Sequence, residues 1–275
     1  MRSSSISSPT APPPARAVKR AAVVTHGKPE TIGDAVARLE RTAREVGVEL
    51  VATGEETPDV AIVLGGDGTM LRALRAYLGS EVPVFGVNFG RVGFLTSVDG
   101  SALEHGVARV FAGDYRIVEL CTLRVDVGGE VYPAINDAVA TSARLGRMIE
   151  LGWEIGGEDL GTQPCDGMIC STPSGSTAYN LSNGGPVLMW GIDAMAITFV
   201  APHSLHARPL VVPRGPILRI TNRTADVPVA VLADGHPIGE LPPEEFLDVG
   251  LGDERCRLAH LPEATFFARL HAVFP

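Results

Sequence analysis

The chain has 275 residues, of which 45% are apolar, enough to bury a core in one large domain or two ordinary ones. Its formal net charge of −9 argues against nucleic acid as the main partner, because non-specific phosphate binding depends on an excess of Lys and Arg. Apolar stretches such as 194–201 are much shorter than the roughly 20 residues that span a bilayer, so we expect a soluble protein without a membrane helix.

The N-terminal residues and the cysteine spacing indicate in which cellular compartment the protein is expected. Residues 1–18 are rich in Ser, Pro and Ala, with neither an acidic residue nor the apolar segment of a secretory signal. We interpret them as a disordered tail or an upstream start, with an organelle transit peptide as the alternative. The cysteines show no C-x-x-C spacing, so we expect reduced thiols and a cytoplasmic protein. They are Cys121, Cys165, Cys170 and Cys256.

Residues 19–115 carry the alternating strand and helix signals of an α/β domain. Apolar runs predict strands, and each is followed by a segment with one apolar helical face. Two capping-box patterns, which begin at Thr31 and Ser101, predict the start of the first and third helices. This alternation predicts a parallel sheet. The predicted strands cover 21–25, 59–64 and 82–87.

The pattern changes in residues 116–275, where short β-type runs are separated by many of the 21 prolines and 31 glycines. Strict alternation at 149–155 predicts a half-exposed strand, and no strong helix signal is present. We therefore expect a β-rich, sandwich-like second domain, whose last segment is able to pack back on the first. Because the two halves differ in class, their interface is the expected place for a ligand. Further predicted strands cover 116–127, 168–171, 195–200, 217–221, 229–233 and 256–261.

The strand at 59–64 runs directly into the glycine-rich sequence LGGDGT. Glycines permit positive φ and close backbone approach, so the loop formed by Gly65, Gly66, Gly68 and Thr69 is a candidate for holding phosphate. It lacks the Walker A lysine and the third glycine of the dinucleotide fingerprint, and a plain turn with a local hydrogen bond is the alternative. A carboxylate such as Asp67 is unfavourable beside phosphate unless it binds a metal or takes a proton. Both roles belong to phosphoryl transfer.

A series of blocks in chain order resembles the NAD kinase family. They are GGDGT at 65–69, NFGRVGFL at 88–95, ND at 136–137, DGMICSTPSGSTAY at 166–179, PHSL at 202–205 and RPLV at 208–211. GGDGT is shared with lipid kinases, whereas STPSGSTAY in register with the other blocks is specific. The resemblance implies transfer of phosphate from ATP, or from polyphosphate, to the 2′-hydroxyl of the adenosine ribose of NAD, with a divalent metal such as Mg²⁺. It also implies a site between an α/β and a β-rich domain, and a dimer or tetramer.

The resemblance also implies roles for individual residues. Asp67 corresponds to the proton acceptor at the ribose hydroxyl, with Gly68 as its backbone partner. Asn136 and Asp137 correspond to the pair that holds the adenosine part, since an amide can read an adenine edge and a carboxylate can accept from ribose hydroxyls. No metal ligand is assigned to a protein side chain. The other implied NAD contacts are Arg147, Asp166 near the nicotinamide, Thr177, Ala178, Tyr179, Asn180, Leu181 and Ser182.

Two positions depart from the family pattern. Pro164 stands where many members have a basic residue, two positions before the aspartate of the DG block. His236 stands where the later DG block usually continues with Gln, and we treat it as a candidate NAD contact in its place. These departures concern affinity more than the reaction.

Several structural alternatives remain open from the residues alone. Asn136 and Asp137 also read as an ordinary turn, and Arg147 as a solvated charge. The H-x-x-H pair of His203 and His206 lacks a third ligand, so we expect a structural role for it.

Two alternative functions are also open. A lipid kinase with the same GGDGT loop would need an apolar substrate cavity and would leave STPSGSTAY unexplained. A catalytically inactive NAD(P)-binding regulator would not require Asp67.

Overall fold

The computed structural model describes residues 17–25, 32–52, 54, 57–90, 93–204 and 206–273. The predicted tail up to residue 16 and the capping residue Thr31 lie outside them, as do positions 91, 92 and 205 of the sequence blocks. Within the described ranges, no helix is both long and apolar enough to cross a membrane.

The helices are α1 (Ala35–Val46), α2 (Asp67–Ala76), α3 (Leu103–Phe111), α4 (Tyr179–Ser182) and α5 (Phe266–Val273). The strands of the first half are β1 (Arg20–Thr25), β2 (Glu49–Val51), β3 (Val60–Gly65), β4 (Val84–Asn88) and β5 (Val98–Asp99). Those of the second half are β6 (Arg116–Val127), β7 (Glu130–Ala134), β8 (Asp137–Ser142), β9 (Ile149–Ile155), β10 (Glu158–Cys165), β11 (Gly167–Ser171), β12 (Ala194–Val200), β13 (Leu210–Pro213), β14 (Leu218–Asn222), β15 (Val229–Ala233), β16 (His236–Leu241) and β17 (Phe246–His260).

A parallel sheet with helices on both faces forms the first half, as the alternating pattern predicts. Strands β2, β1, β3 and β4 lie side by side in this order, and each pair is parallel. Helices α1 and α3 pack on one face and α2 on the other, so every residue of β3 is buried. Burial on both faces explains why β3 is continuously apolar. Val18, at the end of the predicted tail, packs in the core under α1 and α3.

The capping-box prediction for the third helix is wrong. A 3₁₀ turn, Gly100–Ala102, precedes α3, and the Asp99 carboxylate caps it by accepting the Ser101 amide at 2.9 Å. Glu104, the expected second member of the box, instead accepts hydrogen bonds from the Arg38 guanidinium of α1. A partner from another helix cannot be read from local spacing.

The second half is an antiparallel β-sandwich, as predicted. One sheet has the order β13-β12-β11-β8-β15-β16. This smaller sheet packs against the antiparallel part of a larger sheet, in which the parallel strands of the first half continue into β17, β14, β9 and β10. Apolar side chains from both sheets form one core between them. The strand β15 buries alternate residues, as is typical of one face packed on a core, whereas the central strands β11 and β12 are buried almost throughout.

Strand β17 joins the two halves. It pairs antiparallel with β14 and β6, and its end pairs parallel with β4 through Leu258 opposite Val84 and Ala259 opposite Phe85. The chain then forms α5, a helix that the sequence pattern does not predict. The buried residue of α5 is Arg269, and this charged residue interrupts the short apolar pattern formed by Phe266, Leu270 and Val273.

The four cysteines are buried and unpaired, as their spacing predicts. Burial raises the pKa of each thiol, to about 11 for Cys121 and to about 12 for Cys165 and Cys256. The pKa of Cys170 is raised for the same reason. All four thiols are therefore protonated at neutral pH and poor nucleophiles.

Candidate active site

LGGDGT forms the end of β3 and the first turn of α2. The strand ends at Gly65, Gly66 occupies the N-cap position with extended backbone, and Asp67 is the first residue of the helix. A Cβ at Gly65 would lie 2.5 Å from the Thr69 hydroxyl, so this position needs glycine. The half-buried Asp67 carboxylate thus lies at a helix N-terminus, where the helix dipole favours negative charge.

The Asp67 carboxylate is held by the NFGRVGFL block. Oδ2 accepts the Phe94 amide at 2.7 Å, and Oδ1 accepts the Leu95 amide at 3.1 Å. A Cβ on Gly93 would lie 2.2 Å from Oδ1, so the loop approaches this closely only because residue 93 is glycine. Each carboxylate oxygen keeps a further lone pair that can accept a proton or a hydrogen bond. Asp67 is therefore oriented before any substrate binds.

A cavity of about 440 Å³ lies between α2 and the smaller sheet. Its volume lies within the roughly 300–1,000 Å³ of small-molecule sites. Leu71, one turn after Asp67, contributes from the first half of the chain. The second half contributes Asn136, Asp137, Ala178 and Tyr179, four of the predicted contact residues, together with Asp234 and Gly235. The cavity thus lies at the interface between the halves, where the sequence predicts a ligand.

Asp137 is the first residue of β8, and its side chain is buried in the cavity wall. Its carboxyl pKa is raised to about 6, mainly because burial removes it from water and also because the negative charge of Asp234 is near. A buried carboxylate without a donor is costly, and a ligand with adjacent hydroxyl groups relieves that cost.

Asp234 fixes the turn in front of Asp137. Its side chain is 4% exposed and its backbone has a φ of 49°, in the left-handed region that Asp tolerates better than most residues. One carboxylate accepts the backbone amides of Ile135 at 2.9 Å, Asn136 at 2.7 Å and Asp137 at 3.2 Å. The Arg75 guanidinium of α2 pairs with it at 2.8 Å. Asp234 therefore ties the adenosine-binding candidates to the helix that begins at Asp67.

The STPSGST block supports the same turn from the other side. A Cβ on Gly175 would lie 2.1 Å from the Asn136 carbonyl oxygen, so the two segments are in direct backbone contact. The Ser174 hydroxyl donates to Asn136 Oδ1 at 3.2 Å, and the Thr172 amide donates to the Asn136 carbonyl at 2.9 Å. These contacts orient the Asn136 side chain, whose NH₂ group is then directed to other acceptors.

The remaining predicted contacts are placed differently. Arg147 is exposed, pairs with Asp226 at 3.0 Å and is not among the residues that line the cavity. Asp166 is exposed. Its backbone carbonyl oxygen accepts a 2.9 Å hydrogen bond from the hydroxyl of Thr141, a residue that lines the cavity. His236 is exposed and follows Gly235 at the start of β16. Thr177, Leu181 and Ser182 flank the cavity residues without lining it.

Asn180 serves the interior of the fold. It is fully buried, and its side-chain NH₂ donates to the carbonyls of Ser176 and Pro186, both at 3.0 Å. Its side-chain oxygen accepts the Thr198 hydroxyl at 2.7 Å. The amide is thereby saturated by protein groups, so its side chain stabilises the turn that presents Ala178 and Tyr179.

Three residues of the site have no predicted role from the sequence. Asp234 carries a signal that could have found it, because Asp-Gly follows an apolar strand there as it does at Asp67. Leu71 reads only as part of an apolar helix face, and Arg75 as a surface charge on the same helix. Their roles depend on the packing of α2 against the second half.

Comparison with known proteins matches both halves of the chain. Residues 20–115 match the family described as ATP-NAD kinase N-terminal domain, and residues 135–261 match the family described as ATP-NAD kinase C-terminal domain. An NAD kinase of Gemmatimonas aurantiaca is 39% identical over 225 residues, which cover 78% of this chain and 77% of that protein. An NAD kinase of Heliobacterium modesticaldum is 41% identical over 214 residues, which cover 76% of each.

Solved structures give the same match. Yeast NADH kinase complexed with NADH has a TM-score of 0.82 over 94% of this chain and 87% of that chain, and at 19% identity it supports the fold alone. An NAD kinase from Archaeoglobus fulgidus in complex with ATP has a TM-score of 0.74 at 25% identity, over 92% of this chain and 99% of that chain. The resemblance first seen in separate sequence blocks thus extends over most of the chain.

Proposed function

This chain belongs to the NAD kinase family, and on that premise we propose that it transfers the γ-phosphoryl group of ATP to the 2′-hydroxyl of the adenosine ribose of NAD, forming NADP. One observation supports the proposal most directly. The carboxylate oriented at the start of α2 and the cavity lined by Asn136 and Asp137 share that helix, because Leu71 forms part of the cavity wall. The residue that we propose as proton acceptor therefore lies one helical turn from the cavity that we propose to hold the adenosine part.

In the proposed reaction, the 2′-oxygen attacks the γ-phosphorus of ATP, the bond from that phosphorus to the bridging oxygen breaks to release ADP, and Asp67 accepts the proton of the 2′-hydroxyl. The Phe94 and Leu95 amides hold the carboxylate in one orientation, so no rearrangement is needed at that moment. General-base help of this kind contributes about 10²–10⁴ in rate. The amides at the N-terminus of α2 face the phosphate chain, which they attract.

In this proposal, the second half of the chain positions the adenosine part of NAD. Asn136 and Asp137, held by Asp234 and the STPSGST turn, bind the adenosine part and present its ribose to Asp67. Holding two reactants in line contributes about 7–11 kcal/mol to lowering a barrier. Phosphoryl transfer depends mostly on such positioning and on charge neutralisation. We also assign Arg147, Asp166, His236 and the Thr177 to Ser182 segment to further contacts of NAD, except for the buried side chain of Asn180, which holds that segment in place.

A divalent metal fits this site as an ion carried by the triphosphate. No cluster of three or more His, Cys, Asp or Glu side chains suited to a metal occurs in the parts of the chain that are described. Mg²⁺ is commonly held by one or two carboxylates together with substrate phosphates, and Asp67 has free lone pairs for that purpose. When bound, the ion neutralises charge on the phosphoryl oxygens.

The test is direct. Purified protein incubated with NAD, ATP and Mg²⁺ should form NADP, measured with an NADP-specific dehydrogenase. A catalytically inactive regulator would bind NAD without product, and a lipid kinase would phosphorylate a lipid hydroxyl and leave NAD unchanged. Parallel reactions with polyphosphate as donor and with NADH as acceptor determine both preferences. Absence of NADP and of NADPH from every arm would overturn the proposal.

Asp137 should make NAD binding depend on pH. Its folded pKa of about 6 lies above the ordinary 3.8, so the neutral acid is the form that the fold favours. Its contribution to stability is therefore complete below pH 3.8 and is lost as the pH rises through about 6. We expect NAD affinity to weaken below pH 6, because the neutral acid accepts hydrogen bonds from ribose hydroxyls less well.

Asp137→Asn tests this assignment. The variant should bind NAD at least about 10-fold more weakly at pH 7.5, with a nearly flat pH profile between 5 and 8. It should also unfold at a higher temperature than the wild type at pH 7.5, and this difference should shrink at pH 5. Calorimetric NAD titration and thermal unfolding at both pH values measure these effects. An unchanged pH profile of binding in the variant would contradict the role of Asp137.

We also assign the protein to the cytoplasm and to a dimer or tetramer, as the family resemblance implies. Light scattering of the purified protein tests the oligomeric state, and fractionation of the source cells tests the location.

A further inference from the structure

We infer that Arg269 of the C-terminal helix α5 is a positioning residue for phosphoryl transfer, which holds the loop that orients Asp67. The inference rests on the proposed function, since it concerns the geometry of the proposed base. Arg269 lies outside every sequence block that marks the site, and it acts through the loop at 94–97.

Arg269 is 6% exposed, and its guanidinium makes several bonds to one short loop. Nη1 donates to the carbonyl oxygen of Phe94 at 2.9 Å and also to that of Thr96. Nη2 donates to the Ser97 hydroxyl at 2.9 Å. Nε donates to the carbonyl of Ala264 at 3.2 Å, which fixes the guanidinium to the start of its own helix. The planar five-donor group of arginine suits such multiple contacts, and a lysine ammonium does not reproduce them.

Phe94 connects Arg269 to Asp67 directly. Its carbonyl oxygen accepts from Arg269, while its amide donates to Asp67 Oδ2 at 2.7 Å. Any shift of the Phe94 backbone therefore moves a hydrogen bond of the proposed base. The next residue, Leu95, holds the other carboxylate oxygen, and Thr96 is again bound to Arg269. The loop at 94–97 therefore lies between the Arg269 guanidinium and the Asp67 carboxylate and is hydrogen-bonded to both.

The electrostatics agree with this arrangement. No carboxylate forms an ion pair with Arg269 among the described residues, although a buried charge usually needs one. Burial lowers the pKa of Arg269 to about 10, and the negative charge of Asp67 opposes that effect. The guanidinium therefore remains charged at neutral pH, with Asp67 as the acidic group that acts on it across the loop.

Aromatic contacts also connect the loop at 94–97 to the second half of the chain. Phe94, Trp190 and Phe266 pack edge to face around one another, with ring centroids 5.3 to 5.8 Å apart. The Arg269 guanidinium lies 5.2 Å from the centre of the Trp190 ring. Trp190 precedes β12 of the sandwich, so the loop is fixed by both α5 and the second half. The position of Asp67 then depends on the docking of the C-terminus.

The experiment measures kcat, KM for NAD and KM for ATP in four proteins: wild type, Arg269→Met, Asp67→Asn and the double variant. Arg269→Met should lower kcat about 10- to 100-fold, because misplacement of a catalytic group by about 1 Å costs that much, with KM values changed less than about threefold. In the Asp67→Asn background, the same substitution should lower kcat less than about threefold, because the group that it positions is gone. A residue with a merely structural role would cause the same fold-loss in both backgrounds.

Arg109→Met is the matched control. Arg109 binds Asp114 and, by two hydrogen bonds, Glu263 just before α5, so its loss perturbs the same C-terminal segment without touching the loop at 94–97. We expect its kcat to stay within about twofold of the wild type, as for most exposed ion pairs. A comparable drop in kcat for Arg109→Met would attribute the effect to general destabilisation and overturn the inference.

Two milder variants keep the inference testable if Arg269→Met does not fold. Arg269→Lys keeps the charge but loses the multiple bonds, and Ser97→Ala removes one acceptor of the guanidinium. Both should lower kcat several-fold and lose this effect in the Asp67→Asn background. Wild-type kcat in the folded variants, or a fold-loss that is equal with and without Asp67, refutes the positioning role. Failure of the wild type to form NADP would instead refute the proposed function.

Discussion

Asp67→Asn should lower turnover at least about 100-fold while the dissociation constant for NAD changes little. The amide cannot take the ribose proton, yet it keeps the size of the side chain and most of its place at the start of α2. One of its atoms becomes an NH₂ group that faces a backbone amide, so one of the two bonds to the loop is lost. The steady-state rate of NADP formation and calorimetric NAD binding measure the two effects separately.

Asp159→Asn provides the control for that lost bond. Asp159 accepts the Gly161 amide at 2.8 Å at an exposed irregularity of strand β10, so its substitution also disturbs a carboxylate–amide contact. This variant should turn over at the wild-type rate. Near-normal NADP formation by Asp67→Asn would contradict the assignment of Asp67 as base.

The same variant separates two possible duties of Asp67. If the carboxylate also holds the metal, Asp67→Asn should require a higher Mg²⁺ concentration for its residual activity. If it acts only as base, the Mg²⁺ dependence should match that of the wild type. Titrating Mg²⁺ at saturating NAD and ATP distinguishes them.

The sequence predicts the features that local pattern determines. The apolar run at 59–64 leads to β3 because a strand covered on both faces must be apolar throughout. The loop that follows carries Asp67 at a helix N-terminus, as its glycines indicate. Alternation at 149–155 likewise corresponds to β9. In each case the signal and the structure involve neighbouring residues.

Features made by distant residues could not be predicted in this way. Asp234 binds the Asn136 amide 98 residues earlier in the chain, and no local spacing records that pair. Helix α5 buries a guanidinium where the pattern expects an apolar side chain, so its periodicity is hidden. Glu104 and Asn180 matched local motifs, but their partners are Arg38 and Thr198. Tertiary contacts decide these roles.

Asp234→Asn should weaken both the fold and NAD binding, because one buried carboxylate organises the turn at 135–137. The wild-type carboxylate accepts three backbone amides, whereas an asparagine side chain offers a single oxygen to them. Leaving one or two buried amides without an acceptor costs about 1–3 kcal/mol each. We expect the free energy of unfolding to fall by several kcal/mol and the dissociation constant for NAD to rise at least about 10-fold.

Arg75→Met separates the ion pair from the organisation of the turn. The Arg75 side chain is 38% exposed, so it returns to water at little cost when its partner is removed, and its own loss leaves the three amide bonds of Asp234 intact. Asp234 then keeps its three amide donors but loses its counter-charge while 4% exposed, so this variant should lose about 1–3 kcal/mol of stability, less than Asp234→Asn, and retain NAD affinity within about threefold. Equal effects of the two substitutions in urea unfolding and NAD titration would show that the ion pair, and not the turn, carries the role of Asp234.

The pH dependence gives Asp234→Asn a second, independent outcome. The negative charge of Asp234 is one cause of the raised pKa of Asp137, and burial is the larger one. Removal of that charge should therefore move the pKa of Asp137 below 6 without returning it to 3.8. Since NAD binding weakens as Asp137 takes up a proton, the decline in affinity should begin at a lower pH in the variant than in the wild type. A decline at the same pH or a higher one would mean that the two carboxylates do not interact across the cavity.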